Sequence, residues 1–294
     1  MTATPSKSFA SQLGIDSADP VTKRFEFVEC TLAAEPVIIG SQGILGTRSR
    51  ASDRQRVAQI PVNGQIVLNP SPTELDLLLP WILGGTTSGG VTQLADTLLD
   101  RYVTVDKVQK VYTYAGVVVS RATLSGSPGQ ALTLTLDVEG KTETEANAGT
   151  FPSLAIPTDD FFVFSDLTVT LSGSSVPVSA FTLTIDNLVD ANRYMNSTAR
   201  DQLPALDREV TLAISPPYTD DTKGIWTSVK AGTQLTGSFA FTDGSVTYTV
   251  TSGKYAALRP RGPEVRQRGS ELLLPLTFNL LNDGTTREVK FTKT

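Results

Sequence analysis

The stretch SPTELDLLLPWILGG, residues 71–85, carries the marks of a complete helix. Ser71 is an N-cap type, Pro72 suits the first helical position, and Glu74 stands where a capping box needs it. Gly84 and Gly85 supply the stop. Leu75, Leu78, Leu79 and Ile82 recur at helical spacing, which gives the helix an apolar face to bury. Pro80 is expected to kink or end it. Most of the remaining chain alternates apolar residues with Thr, Ser and Asp, a strand pattern. A weaker helical stretch, SPPYTDDTKGIWTSVKAG, returns at 215–232. The two tryptophans, Trp81 and Trp226, fall ten and eleven residues after Ser71 and Ser215.

Outward from that first helix the order of elements repeats. VAQIPVNGQIVLN (57–69) leads into it, and REVTLAI (208–214) leads into the second stretch. ALTLTLDVEG (131–140) is the cleanest strand, with Leu132, Leu134, Leu136 and Val138 on one face. Those four fall on Leu272, Leu274, Leu276 and Phe278 of SELLLPLTFNLL (270–281). KRFEFVECTL (23–32) reads as a first strand with Cys30 as a buried small apolar residue, and FFVFSDLTVTL (161–171) with VSAFTLTIDN (178–187) as a hairpin. A polar, irregular stretch at 141–160 holds the expected boundary. The division is 1–150, with a flexible N-terminal arm, and 151–294. The expected fold is mainly β: two tandem β-sandwich or half-barrel domains, each with one α-helix. The helix covers an otherwise open end or face of each sheet.

The totals narrow the function. The 294 residues hold 25 basic and 30 acidic side chains, and the net charge is −5. The halves carry 12 basic with 15 acidic, and 13 with 15, so no basic tail points to nucleic-acid binding. No apolar run approaches the roughly 20 residues of a membrane span, so no membrane anchor is expected. The N-terminal stretch has no apolar core of a secretory signal, and a cytosolic origin is expected. Cys30 is the only cysteine, which excludes an internal disulfide and a cysteine zinc cluster. The chain has no histidine, which excludes Ser-His-Asp and Cys-His catalysis and every histidine metal site. No catalytic, cofactor or metal residues are assigned. Adjacent carboxylates such as Asp159 and Asp160 do not converge on one substrate atom.

The segment SAFTLTIDNLVDANRYMNSTARDQLPALDREVTLAISPP (179–217) resembles the tail tube proteins of long-tailed bacteriophages. The resemblance lies in a strand ending in Asp-Asn (Phe181–Asn187), a long loop with Arg193 and Tyr194, and a strand entering a helix (Val210–Ile214). The first half lacks the Asp-Asn and carries GILGTRSR in its loop instead. With the repeat, the resemblance spans most of residues 20–290. It implies a non-enzymatic structural protein of the virion tail, assembled in the host cytoplasm. Its subunits close into rings, and the rings stack through long loops into a tube whose lumen passes double-stranded DNA without specific binding. Two tube-like domains in one chain imply a homotrimeric, pseudo-hexameric ring, since head-to-tail contacts close when the rotation closes. Tape-measure, terminator and distal tail proteins are the other implied partners.

Candidate contacts between rings or subunits are the arginine-rich loops. Arg48, Arg50, Arg54 and Arg56 face only Asp53 in sequence, and Arg259, Arg261, Arg266 and Arg268 only Glu264. Arg193, Tyr194 and Arg200 belong to the 188–207 loop, and Tyr and Arg are enriched at interface hot spots. These loops lack the interleaved aromatics of a single-strand nucleic-acid site, and tight phosphate contacts would oppose sliding. Trp81 and Trp226 are read as helix packing, with a subunit seam the other reading for Trp226. A surface adhesin or carbohydrate-binding protein of two β-sandwich modules is the competing reading, although such sandwiches need no helix. A carboxylate hydrolase is a third reading that no constellation supports.

Overall fold

The computed structural model describes residues 7–41, 43, 54–156, 158–263 and 271–294. The first half runs β1 (Gln12–Asp16), β2 (Arg24–Phe25), β3 (Glu29–Cys30), β4 (Ala33–Ala34), β5 (Val37–Gly40), β6 (Gln55–Gln59), β7 (Val62–Leu68), α1 (Pro72–Leu83), β8 (Val91–Gln93), β9 (Arg101–Asp106), β10 (Lys110–Gly126), β11 (Thr133–Gly140) and β12 (Thr142–Asn147). The second runs β13 (Leu167–Leu171), β14 (Ser174–Ser175), β15 (Phe181–Asp186), β16 (Glu209–Ile214), α2 (Asp220–Lys230), β17 (Gly237–Thr242), β18 (Thr247–Thr251), β19 (Lys254–Ala257), β20 (Leu276–Leu281) and β21 (Lys290–Lys293). The fold is mainly β, as the sequence predicts.

One long antiparallel sheet crosses both halves in the order β19-β20-β16-β15-β10-β11-β7-β3. The first four strands and the last four repeat one pattern. In each set the strand before the helix (β16, β7) pairs with the last long strand of its half (β20, β11), and that strand pairs with the one preceding it (β19, β10). A second layer also repeats. β2-β1-β9-β10-β12 in the first half matches β14-β13-β17-β18-β21 in the second, and β10 is long enough to serve both layers. The short β8 of the first half adds to β21 of the second. The layers and both helices enclose one apolar core, because each sheet is hydrophobic on one face only.

Helix α1 forms where its end signals place it. Ser71 and Glu74 make the reciprocal capping box, and Gly84 closes the helix at φ 76°, a conformation that favours glycine. A Cβ on Gly84 would also stand 2.3 Å from the Thr97 carbonyl oxygen. Pro80 does not end the helix, which continues to Leu83. Trp81 is fully buried, and its Nε1 donates to the Val117 carbonyl at 3.0 Å.

Several sequence expectations shift. The second helix starts at Asp220 with Thr219 as its cap, not at Ser215. Pro216 and Pro217 bias the residues before them away from the helical region, and Ser215–Tyr218 runs extended beside Leu272–Leu274 instead. The 161–171 and 178–187 stretches do not form a hairpin. β13 pairs with β17 in one layer, and β15 pairs with β10 and β16 in the other. Residues 23–32 break into β2 and β3 rather than one strand. Cys30 is only partly buried at the sheet's end, where desolvation pushes its thiol pKa up. The match of Leu134 to Leu274 is displaced by two residues. Leu134 stands opposite Leu68, and Leu276 opposite Ile214, each partner being the last residue of the strand before the helix. An even displacement keeps every side chain on its own face.

Candidate assembly interface

The middle of the long sheet is an internal interface between the halves. β15 pairs with β10 from Phe181↔Gly126 to Asp186↔Arg121. Helix α1 straddles this seam: Leu75, Leu79 and Ile82 line one small apolar cavity with Ala122, Leu124 and Leu134 of the first half and Leu183, Ile185 and Phe291 of the second. Above it, the Tyr248 hydroxyl faces Asp76 Oδ1 at 2.7 Å and the Pro72 carbonyl at 2.9 Å. Asn187, the second residue of the Asp-Asn pair, is buried and donates from Nδ2 to Ile82 O at 3.1 Å and Val119 O at 3.0 Å. It ties the end of α1 to β10, and Asp186 beside it pairs with Arg121.

The sheet's two terminal strands are β3 and β19. β3 lies beyond β7 as β15 lies beyond β16, so β3 is the counterpart of β15. β19 is likewise the counterpart of β10. The sheet's ends therefore match the two strands that pair in its middle. A terminal strand is a template for another chain, and apolar side chains stand exposed near both. On β19 the Tyr255 N–H and C=O already pair with Leu235, so that end is open only beyond Tyr255. Phe9, Val28 and Ile156 line the cleft beside β3, and Leu258 follows β19, while Leu272 and Leu273 lie on the stretch that pairs with Pro217 and Tyr218.

The face of the sheet turned away from the core is polar. It presents Thr123, Thr135, Thr182, Thr184 and Thr211, the Gln65–Asp137 hydrogen bond of 2.9 Å, and the Arg121–Asp186 ion pair. Arg121 Nε reaches Asp186 Oδ2 at 2.9 Å, and Nη2 reaches the same oxygen. The fork neutralises the cation at that seam.

The predicted contact residues fall in different environments. Arg200 is buried and held within the chain. Its Nη1 donates to Val62 O at 2.6 Å and Gly140 O at 2.9 Å, its Nε donates to Ala191 O at 2.7 Å, and Glu139 pairs with it at 2.8 Å. This pins the 188–207 loop of the second half under the first. Arg193 lies 3.7 Å from Asp201, and the Tyr194 ring faces the Arg200 guanidinium. Arg54 and Arg56 flank and enter the exposed β5–β6 hairpin, where Val37, Ile38, Ile39 and Val57 are exposed. Arg259 and Arg261 follow β19 on an exposed loop, and Arg259 has a positive φ of 43°. Arg48, Arg50, Arg266 and Arg268 lie outside the described residues. Trp226 is partly buried beside Gly262. Among the described residues no carboxylate or cysteine cluster has metal-site geometry, and no helix is long and apolar enough to cross a membrane.

Two layers built twice, ending in matched sheet edges, define a β-rich structural subunit. Residues 2–280 match the family model for phage tail tube proteins, and the chain belongs to that family. It is thereby a structural protein of the bacteriophage virion tail. No curated protein matches the chain.

Proposed function

We propose that the chain is a tail tube subunit with two tube-like domains, 1–150 and 151–294, of which three copies close into a pseudo-six-fold ring. The observation that carries this is the strand order. β15 of one half already pairs with β10 of the other, and β3 and β19 are their counterparts at the sheet's ends. Repeating the internal seam between copies joins β3 of one to β19 of the next. Six four-strand units from three chains then form a closed wall, which leaves the long sheet without a free end.

In that ring the polar face lines the channel. Threonine hydroxyls hydrate the wall, and Asp186 holds Arg121, so a DNA polyanion meets little fixed positive charge and slides. The rings stack through the exposed β5–β6 hairpin and the basic loops carrying Arg54, Arg56, Arg259 and Arg261. Arg193 and Tyr194 sit on the 188–207 loop of the second half, which Arg200 pins under the first. Tape-measure, terminator and distal tail proteins contact the ends of the stack. The subunit is assembled in the host cytoplasm and performs no bond-making step.

Electron microscopy of the purified chain with rotational averaging tests this. Three-fold rings with six similar lobes, single or stacked, are expected. Rings of six whole chains would confine the wall to one half, and dispersed monomers under all conditions would overturn the reading.

A further inference from the structure

The counterpart of α1 in the second half is α2, and the two differ in what covers them. α1 lies under β18 and β21 of the other half and is almost wholly buried. α2 buries Thr222, Ile225 and Val229 only, and its outer face is exposed. Counted from each helix start, Leu75, Leu79 and Ile82 of α1 correspond to Lys223, Thr227 and Lys230 of α2. Asp76, which meets Tyr248, corresponds to Gly224. A mid-helix glycine costs about 1 kcal/mol against alanine. Nothing among the described residues calls for it, since a Cβ there meets no atom of theirs within 4 Å.

The first half has the matching vacancy. A cleft of about 710 Å³ opens between β3 and the second layer, lined by Arg24, Glu26, Val28, Glu29, Val105 and Lys107 among others. Val105 and Tyr112 pair across β9 and β10 one step from their hairpin's first pair, as Phe241 and Tyr248 do across β17 and β18. Tyr248 is buried under α1, whereas Tyr112 is only partly buried. So the cleft occupies the place that α1 fills in the other half.

We propose that this cleft receives α2 of a second copy of the chain, resting on the ring reading above. The charges agree. α2 opens with Asp220 and Asp221 and continues with Lys223 and Lys230, and the cleft offers Arg24 and Lys107 beside Glu26 and Glu29. α1 meets its seam through Leu75, Leu79 and Ile82, whereas α2 presents Lys223, Thr227 and Lys230 at the matching positions to a cleft that also carries exposed Phe9, Val28 and Ile156. Gly224 lets the neighbour's Tyr112 approach the helix backbone.

A charge swap tests it. Lys223→Glu with Lys230→Glu removes only the exposed Lys223–Asp220 pair and a favourable charge at the helix end, so it should lower the thermal melt of the isolated chain by no more than a few degrees and raise the concentration needed for ring assembly at least tenfold. Adding Glu26→Lys with Glu29→Lys should restore assembly. Gly224→Trp, whose side chain has open space in the monomer, should also block rings. Rings from the Lys223/Lys230 variant at wild-type concentration would overturn the proposal while the ring reading stood. So would loss of assembly that the swap does not restore. A wild-type chain that never forms rings would instead remove the ring reading itself.

Discussion

The Tyr248 hydroxyl lies 2.7 Å from Asp76 Oδ1, joining a strand of the second half to the helix of the first. Burial raises the phenol pKa, and the Asp76 hydrogen bond and charge raise it further, so the group stays a donor at any physiological pH. Lys293 reaches the other oxygen of Asp76, and the carboxylate is shared between two strands. Tyr248→Phe keeps the ring packed among Phe162 and Phe241 and removes only the donor. The expected cost is about 1–2 kcal/mol, read as a Tm lowered by a few degrees. An unchanged Tm would mean that Lys293 alone satisfies Asp76.

The parts of this fold that were legible in the sequence are those whose signals are local. The capping box at Ser71–Glu74 and the alternation of Leu132–Val138 depend on neighbours a few residues away, and α1 and β11 appear where those signals put them. Membership of a layer is not local. The strands at 167–171 and 181–186 alternate alike, and only their distant partners, β17 for one and β10 and β16 for the other, separate them. Ser215-Pro216 imitates a cap, but the second proline and the pairing at Leu273 outweigh it. Arg200 reads as one more loop arginine, because its carbonyl partners Val62 and Gly140 lie 138 and 60 residues away. The matched sheet ends were not legible at all, since they are a property of strand order.

Arg200 clamps the 188–207 loop, and its loss is expected to destabilise the chain strongly. Arg200→Ala strips donors from three carbonyls and leaves Glu139 half-buried without its cation. Breaking such a pair costs about 3–5 kcal/mol. Arg200→Lys keeps the charge but loses the planar fork, so it should fall between wild type and alanine. Denaturant unfolding of the isolated chain orders the three. Limited proteolysis should show cleavage in 188–207 rising in the same order. Equal protection in all three proteins would show that the loop holds its place without the clamp.

Glu74 supplies a pH dependence with a definite sign. Burial pushes its carboxyl above the usual carboxylate range, opposed by hydrogen bonds from Ser71 and the Glu26 backbone. A raised native pKa means that the folded state binds more protons than the unfolded state in that window. Its contribution is then fully present below the ordinary carboxylate value and is lost as pH rises through the native one. Glu74→Gln cannot ionise and escapes that loss, though it forfeits one acceptor for the two backbone donors. The Tm difference, variant minus wild type, should therefore be more negative at pH 4 than at pH 7. A difference independent of pH would place the carboxyl at its ordinary value.

Asp186→Asn separates the wall's stability from its traffic. The Asp186 side chain is largely shielded and that of Arg121 is about half exposed, so the ion pair contributes about 1 kcal/mol or less. Asn can still accept from the Leu188 backbone N–H, which Asp186 Oδ1 now does at 3.0 Å. The fold and the rings should survive. What changes is the free guanidinium of Arg121 on the polar face, repeated three times per ring if the proposed tube is right. Each freed cation gains phosphate contact by counterion release, so DNA should leave such tubes more slowly. The slowing should shrink as salt rises. Virions carrying the variant should then eject their genome more slowly than wild type at low ionic strength and at similar rates at high. Arg121→Gln in the same background should restore the wild-type rate. Ejection unchanged at every salt concentration would mean that this face does not line the channel.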